Sequence, residues 1–204
     1  MTTIVSHQPL LLEELLPSYD ATAVVHRLID CELDAVHEAV LDTDMLDVPQ
    51  TNPAVRGLFA ARGAGERVIN ALMSRPTPEA AVPDSMRLRN LDETGDWVKL
   101  GADPPQEFAF GVIGRFWGGE TVWKQISAEE FATFARPGYA KIACEISLRP
   151  YGSRHTLVSY EARTLALDAD SRTTFLRYWR LANPGVRIVM QAFLKAVEAH
   201  ARAV

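Results

Sequence analysis

The chain has only two cysteines, Cys31 and Cys144, far apart and in no CxxC or Cys/His spacing, so neither a disulfide framework nor a zinc site is supported. No apolar run approaches the roughly 18 residues of a membrane span. Lys and Arg number 21 against 26 Asp and Glu, a formal charge of −5, and the basic residues do not cluster. The densest set, Arg172, Arg177, Arg180 and Arg187, is spread along a helical segment. A nucleic-acid partner, which needs a basic face, is not expected. None of the histidines (His7, His26, His37, His155, His200) has a second ligand at helical spacing, so no local metal site is expected. Phosphate-binding glycine-lysine loops, GxSxG elbows and HExxH helices are all missing, and no cofactor is called for. The segment from Pro9 to Leu16 is too short and too acidic for a signal peptide and reads as an amphipathic helix or docking arm. The cytoplasm is the expected compartment.

What is present is ordinary globular material: 204 residues, 48% apolar and 23% charged, enough for a sizeable core. We expect an arm over residues 1–18 and one domain over 19–204. Ala21 to Asp30 reads as a first strand, and the apolar spacing within Glu32 to Leu41 as a helix. Asn52-Pro53 is a cap followed by proline at the first helical position, opening a second helix that Gly63 and Gly65 interrupt. Three prolines mark an irregular connection over residues 74–85.

The period then changes to two. Strands are expected over 96–102, 106–117 and 121–126, with Phe108, Phe110, Val112 and Phe116 on one face of the second. Several glycines between Gly111 and Gly119 are expected to permit curvature or a bulge. Ser127 with Glu130 forms a capping box for a short helix that Pro137-Gly138 ends. From Tyr139 to Leu148, Ala140, Ile142, Cys144, Ile146 and Leu148 share one face. After a turn at Pro150 to Ser153, Val158, Tyr160, Ala162 and Thr164 share one face of the strand from His155 to Leu167. Alternation this regular predicts one buried and one solvated face, with Lys141, Glu145, Glu161 and Arg163 as an outer ion ladder.

The chain closes on a helix from about Asp170 to Ala203. Phe175, Trp179, Ala182, Val186, Met190, Phe193 and Val197 keep one register across Asn183-Pro184-Gly185, which predicts a single kinked helix. The fold class is therefore α+β: a curved antiparallel sheet of about six or seven strands, two short helices after the first strand, and a long C-terminal helix.

The segment Val24 to Val40, with Gly111 to Trp117, Pro137 to Lys141 and Phe175 to Arg180, resembles the START-like, or SRPBCC, superfamily, which includes polyketide cyclase/dehydrase-like members. The resemblance implies a helix-grip fold enclosing an apolar cavity under the last helix, filled by a lipid, polyketide or similar molecule. It brings no shared catalytic motif. The residues themselves establish only the two facing surfaces; the space between them is what the resemblance implies.

Ile142, Cys144 and Tyr160, with Phe110 and Val112 beside them, form the sheet side of that expected site, and Trp179, Ala182 and Val186 the helix side. Trp97 and Tyr178 add apolar bodies with polar tips, as hydrophobic-ligand sites use. Each of these also reads as ordinary core. Arg115 and His26 are the candidate polar anchors, each with an alternative reading as a solvated or hydrogen-bonded surface residue. Cys144 as a nucleophile would need a neighbouring base, and none is visible. Three readings follow, in order: a module that binds a hydrophobic small molecule; a cyclase, dehydratase or hydrolase-like enzyme acting on one; an interaction protein whose arm docks a partner. The sequence leaves open whether two copies pair as a homodimer.

Overall fold

The computed structural model describes residues 9–58, 60–61, 85–93, 95–117 and 121–203. Gly63, Gly65, Gly118, Gly119 and the expected connection over 74–84 lie outside them. A short helix α1 (Leu11–Leu15) precedes β1 (Ala21–Ile29), α2 (Leu33–Asp42) and α3 (Val48–Thr51). A 3-10 turn (Leu88–Glu93) leads into β2 (Val98–Asp103), β3 (Glu107–Arg115) and β4 (Val122–Lys124). Helix α4 (Ala128–Thr133), strands β5 (Ala140–Tyr151) and β6 (His155–Ala166), and α5 (Ala169–Ala201) complete the order. The six described strands form one antiparallel sheet in the order β1-β6-β5-β3-β2, with β4 also on β3.

Local chemistry places the elements. Asn52 Oδ1 accepts from the N–H groups of Ala54 and Val55 at 3.0 and 3.3 Å, the expected cap ahead of Pro53. The capping box of α4 is complete: Glu130 N–H donates to Ser127 Oγ (3.2 Å), and Ser127 N–H to Glu130 Oε2 (2.7 Å). At α5, Asp168 accepts from Ser171 N–H (2.9 Å) and from Gly138 N–H (2.6 Å), tying the helix start to the turn before β5. These bonds hold the Asp168 carboxyl at about 2, with Gly138 the largest contributor. Helix α5 runs without a break through Pro184 and lies along β1, β6 and α2.

The β3 glycines were expected to permit curvature or a bulge, and the bulge falls elsewhere. The register irregularity lies in β2, between Lys99 and Gly101, not in the β3 glycines. Gly111 and Gly114 instead make room for side chains: a Cβ would come within 2.7 Å of Leu100 at the first and 2.2 Å of Trp123 at the second.

The larger correction concerns the outer sheet face. It was expected to be solvated, yet Lys141, Glu145 and Arg163 are buried beneath α1 and α4. Leu12 and Leu16 of the N-terminal segment join Ile113, Phe131 and Ala143 in a second core there. Periodicity shows that these charges share a face. It cannot show that a segment more than a hundred residues away covers it. Nor is the row an ion ladder: Glu145 stands directly opposite Glu161. Glu161 pairs with Arg163 at 2.7 Å, while Lys141 Nζ donates to Ala132 O at 2.9 Å.

Candidate functional site

The inner face is built by register. Val112 pairs with Ile142, and Ile142 with Thr164; Phe110 pairs with Cys144, and Cys144 with Ala162; Ile146 pairs with Tyr160. Because side chains alternate, these rows stack into one apolar floor beneath α5. Phe110, Val112 and Cys144 are its sealed base, each 2% exposed or less. Rings step across it: Trp97 to Phe110 at 5.5 Å, Phe110 to Tyr160 at 6.2 Å, and Tyr160 to Phe193 of α5 at 5.9 Å. These are ordinary separations for aromatic pairs.

Burial is uneven along the helix. One end is closed by Phe175 against Trp117, with ring centroids 5.8 Å apart. The other is closed by Met190, Phe193, Leu194 and Val197 against the main core. Between them Tyr178, Trp179, Ala182, Val186 and Val189 are only partly buried, and so are Trp97, Ile142, Tyr160 and Ala162 on the sheet side. Leu58 approaches α5 opposite Gly185, where a Cβ would lie 3.4 Å from its Cδ2. Seven of the ten side chains expected to face a ligand therefore keep accessible surface, and the other three form the base. Tyr178 belongs to a neighbouring aromatic group with Phe116, 6.0 Å away, rather than to the floor.

The polar feature of the floor is a neutral pair. Burial pushes the Cys144 thiol up to about 12, with a hydrogen bond to Tyr160 acting weakly the other way. Burial, then Cys144, raises the Tyr160 phenol well above its ordinary value. Both groups stay protonated at neutral pH. They can donate and accept hydrogen bonds, but neither is a thiolate nucleophile or a phenolate base.

The two expected polar anchors lie elsewhere. His26 is exposed on the face of β1 opposite the core residue Val25, with Nδ1 2.8 Å from Ser159 Oγ. Arg115 is exposed at the end of β3, on the same side as Ile113 of the outer core. Neither lies on the inner sheet face beneath α5, because strand alternation turns both outward.

A separate open depression of about 230 Å³ lies where α2 ends, lined by Asp42, Asp44, Asp47, Arg87 and His200 among others. Asp42 and Asp44 are engaged by neighbouring groups. Asp42 is held below its ordinary value chiefly by Arg89. Burial alone would raise Asp44, but bonds from Ser85, Met86 N–H and Leu46 N–H outweigh it. Among the described residues no group of three or more acids, histidines or cysteines is arranged to hold a metal ion, and no helix is long and apolar enough to cross a membrane.

No protein-family model matches the chain, and neither does any curated protein. Among solved structures it is similar to a conserved protein from Geobacillus kaustophilus, with 9% identity over 90% of this chain and 96% of that one, at a TM-score of 0.43. A Thermus thermophilus protein gives 11% identity over 90% and 98% of the two chains, at 0.37. CalU16 from Micromonospora echinospora gives 13% over 89% and 86%, at 0.30. Likeness at this level carries no statement about ligand or activity.

Sequence reasoning grouped Glu145, Glu161 and Arg163 with Lys141 on the outer face; it did not foresee that Glu107 and Arg149 join them there or that the group holds α1. Glu107 Oε2 accepts Leu11 N–H at 3.1 Å and Glu145 Oε2 accepts Leu12 N–H at 2.7 Å. Arg163 donates to Leu12 O and Leu16 O at 3.2 and 3.3 Å. The outward acids were visible in the sequence; what they hold was not.

Proposed function

We propose that the protein binds a hydrophobic small molecule, a lipid, polyketide or similar compound, between the inner sheet face and the middle of α5, as a START-like (SRPBCC) helix-grip protein. On this reading residues 1–18 are an arm and 19–204 one ligand-binding domain. The observation that carries it is the uneven burial: Ile142, Tyr160, Trp179 and Val186 point inward yet keep accessible surface, while side chains at both ends of α5 are sealed. Apolar surface left open between two elements that otherwise close is what a ligand of matching shape gains most from covering. The ligand's polar group would hydrogen-bond to Tyr160, the partly exposed polar side chain on this floor, with Cys144 sealed beneath it.

The reading as an enzyme is less well supported. Cyclisation or hydrolysis needs a group that moves protons near neutral pH, and burial holds both the thiol and the phenol protonated.

The test is native mass spectrometry of the recombinant chain, followed by titration with a fluorescent naphthalene probe. Wild type should carry extra apolar mass or bind the probe. Ile142→Trp, which fills the opening from the floor, should weaken probe binding at least ~10-fold while the thermal midpoint is retained, since lost apolar burial of 1.4 kcal/mol is already tenfold. No bound mass, together with equal probe affinity in both proteins, would sink the proposal.

A further inference from the structure

The outer sheet face carries a feature that ligand binding does not use. Glu145 sits mid-strand on β5, 2% exposed. Its Oε2 accepts the Leu12 N–H, while its Oε1 has no hydrogen-bond partner among the described residues. Glu161 stands directly across from it on β6. On β3, Glu107 lies one diagonal step away, since Ala109 is the residue opposite Glu145. Like charges facing each other across strands repel, and more so when water is removed.

The neighbouring cations are committed elsewhere. Arg149 pairs with Glu107. Arg163 pairs with Glu161, donates to the carbonyls of Leu12 and Leu16, and lies over the Tyr19 ring. Lys141 donates to Ala132 O. On β2, Asp103, opposite Glu107, is exposed, and so are the acids of α1 itself, Glu13 and Glu14. What covers Glu145 is thus a five-residue helix held by two buried leucines, two carboxylate-capped N–H groups and one arginine.

We propose that the N-terminal segment is a pH-responsive clasp: α1 lies on the outer sheet face when Glu145 is protonated and loosens when that carboxyl ionises. A charged oxygen without a partner, beside two other carboxylates, is the costlier state to bury. Undocking lets water reach it. The surface uncovered is mixed, with Ile113 and Ala143 beside the acids, and so becomes available only as the clasp opens.

Burial, against the Leu12 N–H and with Glu107 and Glu161 adding to it, raises this carboxyl from 4.5 to about 7, while Arg149 pulls slightly the other way. The sign follows by linkage. Docking is strongest below the ordinary value, weakens about tenfold for each pH unit between roughly 4.5 and 7, and is constant above, about 300-fold in total.

The experiment is hydrogen exchange of the Leu11–Leu16 amides in the full chain, corrected for intrinsic rates, between pH 5.5 and 7.5. Wild type should lose about 20-fold protection over that range. Glu145→Gln, permanently uncharged, should stay within about threefold. Equal pH dependence in both proteins, or none in wild type, overturns the proposal. Carbon-13 carboxyl titration gives a readout that does not need the glutamine variant to fold. One glutamate of wild type should titrate near neutrality and return to the ordinary range in Leu12→Ala/Leu16→Ala. A carboxyl that stays near neutrality without the clasp would equally overturn it.

Discussion

Gly111 gives a quantitative test of how tightly the sheet is covered. It lies in the middle of β3, between Val98 of β2 and Ala143 of β5. A Cβ added there would sit 2.7 Å from Leu100 Cδ1, 2.8 Å from the Ile142 carbonyl oxygen and 3.0 Å from Phe131 Cε2. The leucine can rotate away. The carbonyl cannot, because it belongs to the central β5 strand, whose ladders with β3 and β6 fix its position. Forcing a methyl into a closed core costs about 1–3 kcal/mol. Alanine returns about 0.4–1 kcal/mol by restricting the unfolded chain. Gly111→Ala should therefore lose about 1–2 kcal/mol net, a drop of roughly 2–8 °C in Tm for a chain of this size. Gly57 is the opposite case: helical, exposed, with nothing within 4 Å of an added Cβ. Gly57→Ala should gain about 0.4–1 kcal/mol. Thermal and urea melts of both variants in one buffer measure the contrast. If Gly111→Ala melts at or above wild type, Leu100, Phe131 and Ile142 do not close over the position.

Two further outcomes follow from single groups. Asp168, held at about 2 against an ordinary 3.8, stabilises the fold above the ordinary value and stops doing so as pH falls through about 2. The Tm difference between wild type and Asp168→Asn should be constant above pH 4 and shrink below it; a difference that persists unchanged to pH 2 would remove the carboxylate from the account. Cys144, pushed up to about 12, should be under about one part in a thousand thiolate at pH 8, whereas Cys31 is half-buried beside Ala201 O. A disulfide reagent should label Cys31 alone in the native chain and both after denaturation, and prompt native labelling of Cys144 would contradict its burial.

The elements whose signals are local were legible in the sequence. Periodicity located β1, α2, β6 and α5 to within a residue or two, and β5 except at its end, which continues through Pro150 and Tyr151 where a turn was expected; the capping groups at Asn52 and Ser127 mark true helix starts. The inner-face assignment of Ile142, Cys144, Val158 and Tyr160 also holds, because strand alternation is a property of the backbone. Three things were not legible. That Glu145 faces Glu161 depends on the register between two strands, which the turn sets and periodicity does not reveal. That His26 faces outward follows only from counting alternation from its core neighbour Val25, and the sequence offered no second strand to count against; Arg115, by contrast, alternation already set opposite Phe108 and Phe110, and it is exposed on that outer side. The cover over the outer face comes from a segment whose leucines fit an arm docked anywhere.

That cover changes what the sheet has to satisfy. A sheet solvated on its outer face can carry Glu107, Glu145 and Glu161 together, because water screens them. Once Leu12 and Leu16 exclude water, each carboxylate needs a partner. Glu107 takes Arg149 and the Leu11 N–H. Glu161 takes Arg163, and Glu145 takes the Leu12 N–H. The two carboxylate-bound N–H groups are the unpaired donors that every helix start leaves over, so the acids cap α1 and α1 shields the acids. Apolar contact alone would let two leucines settle anywhere on an apolar strip. Two capped donors and an arginine gripping two carbonyls allow one position. Among the described residues one buried acceptor oxygen is left over, on Glu145, and it lies at the point where the arm's placement and the sheet's charge meet.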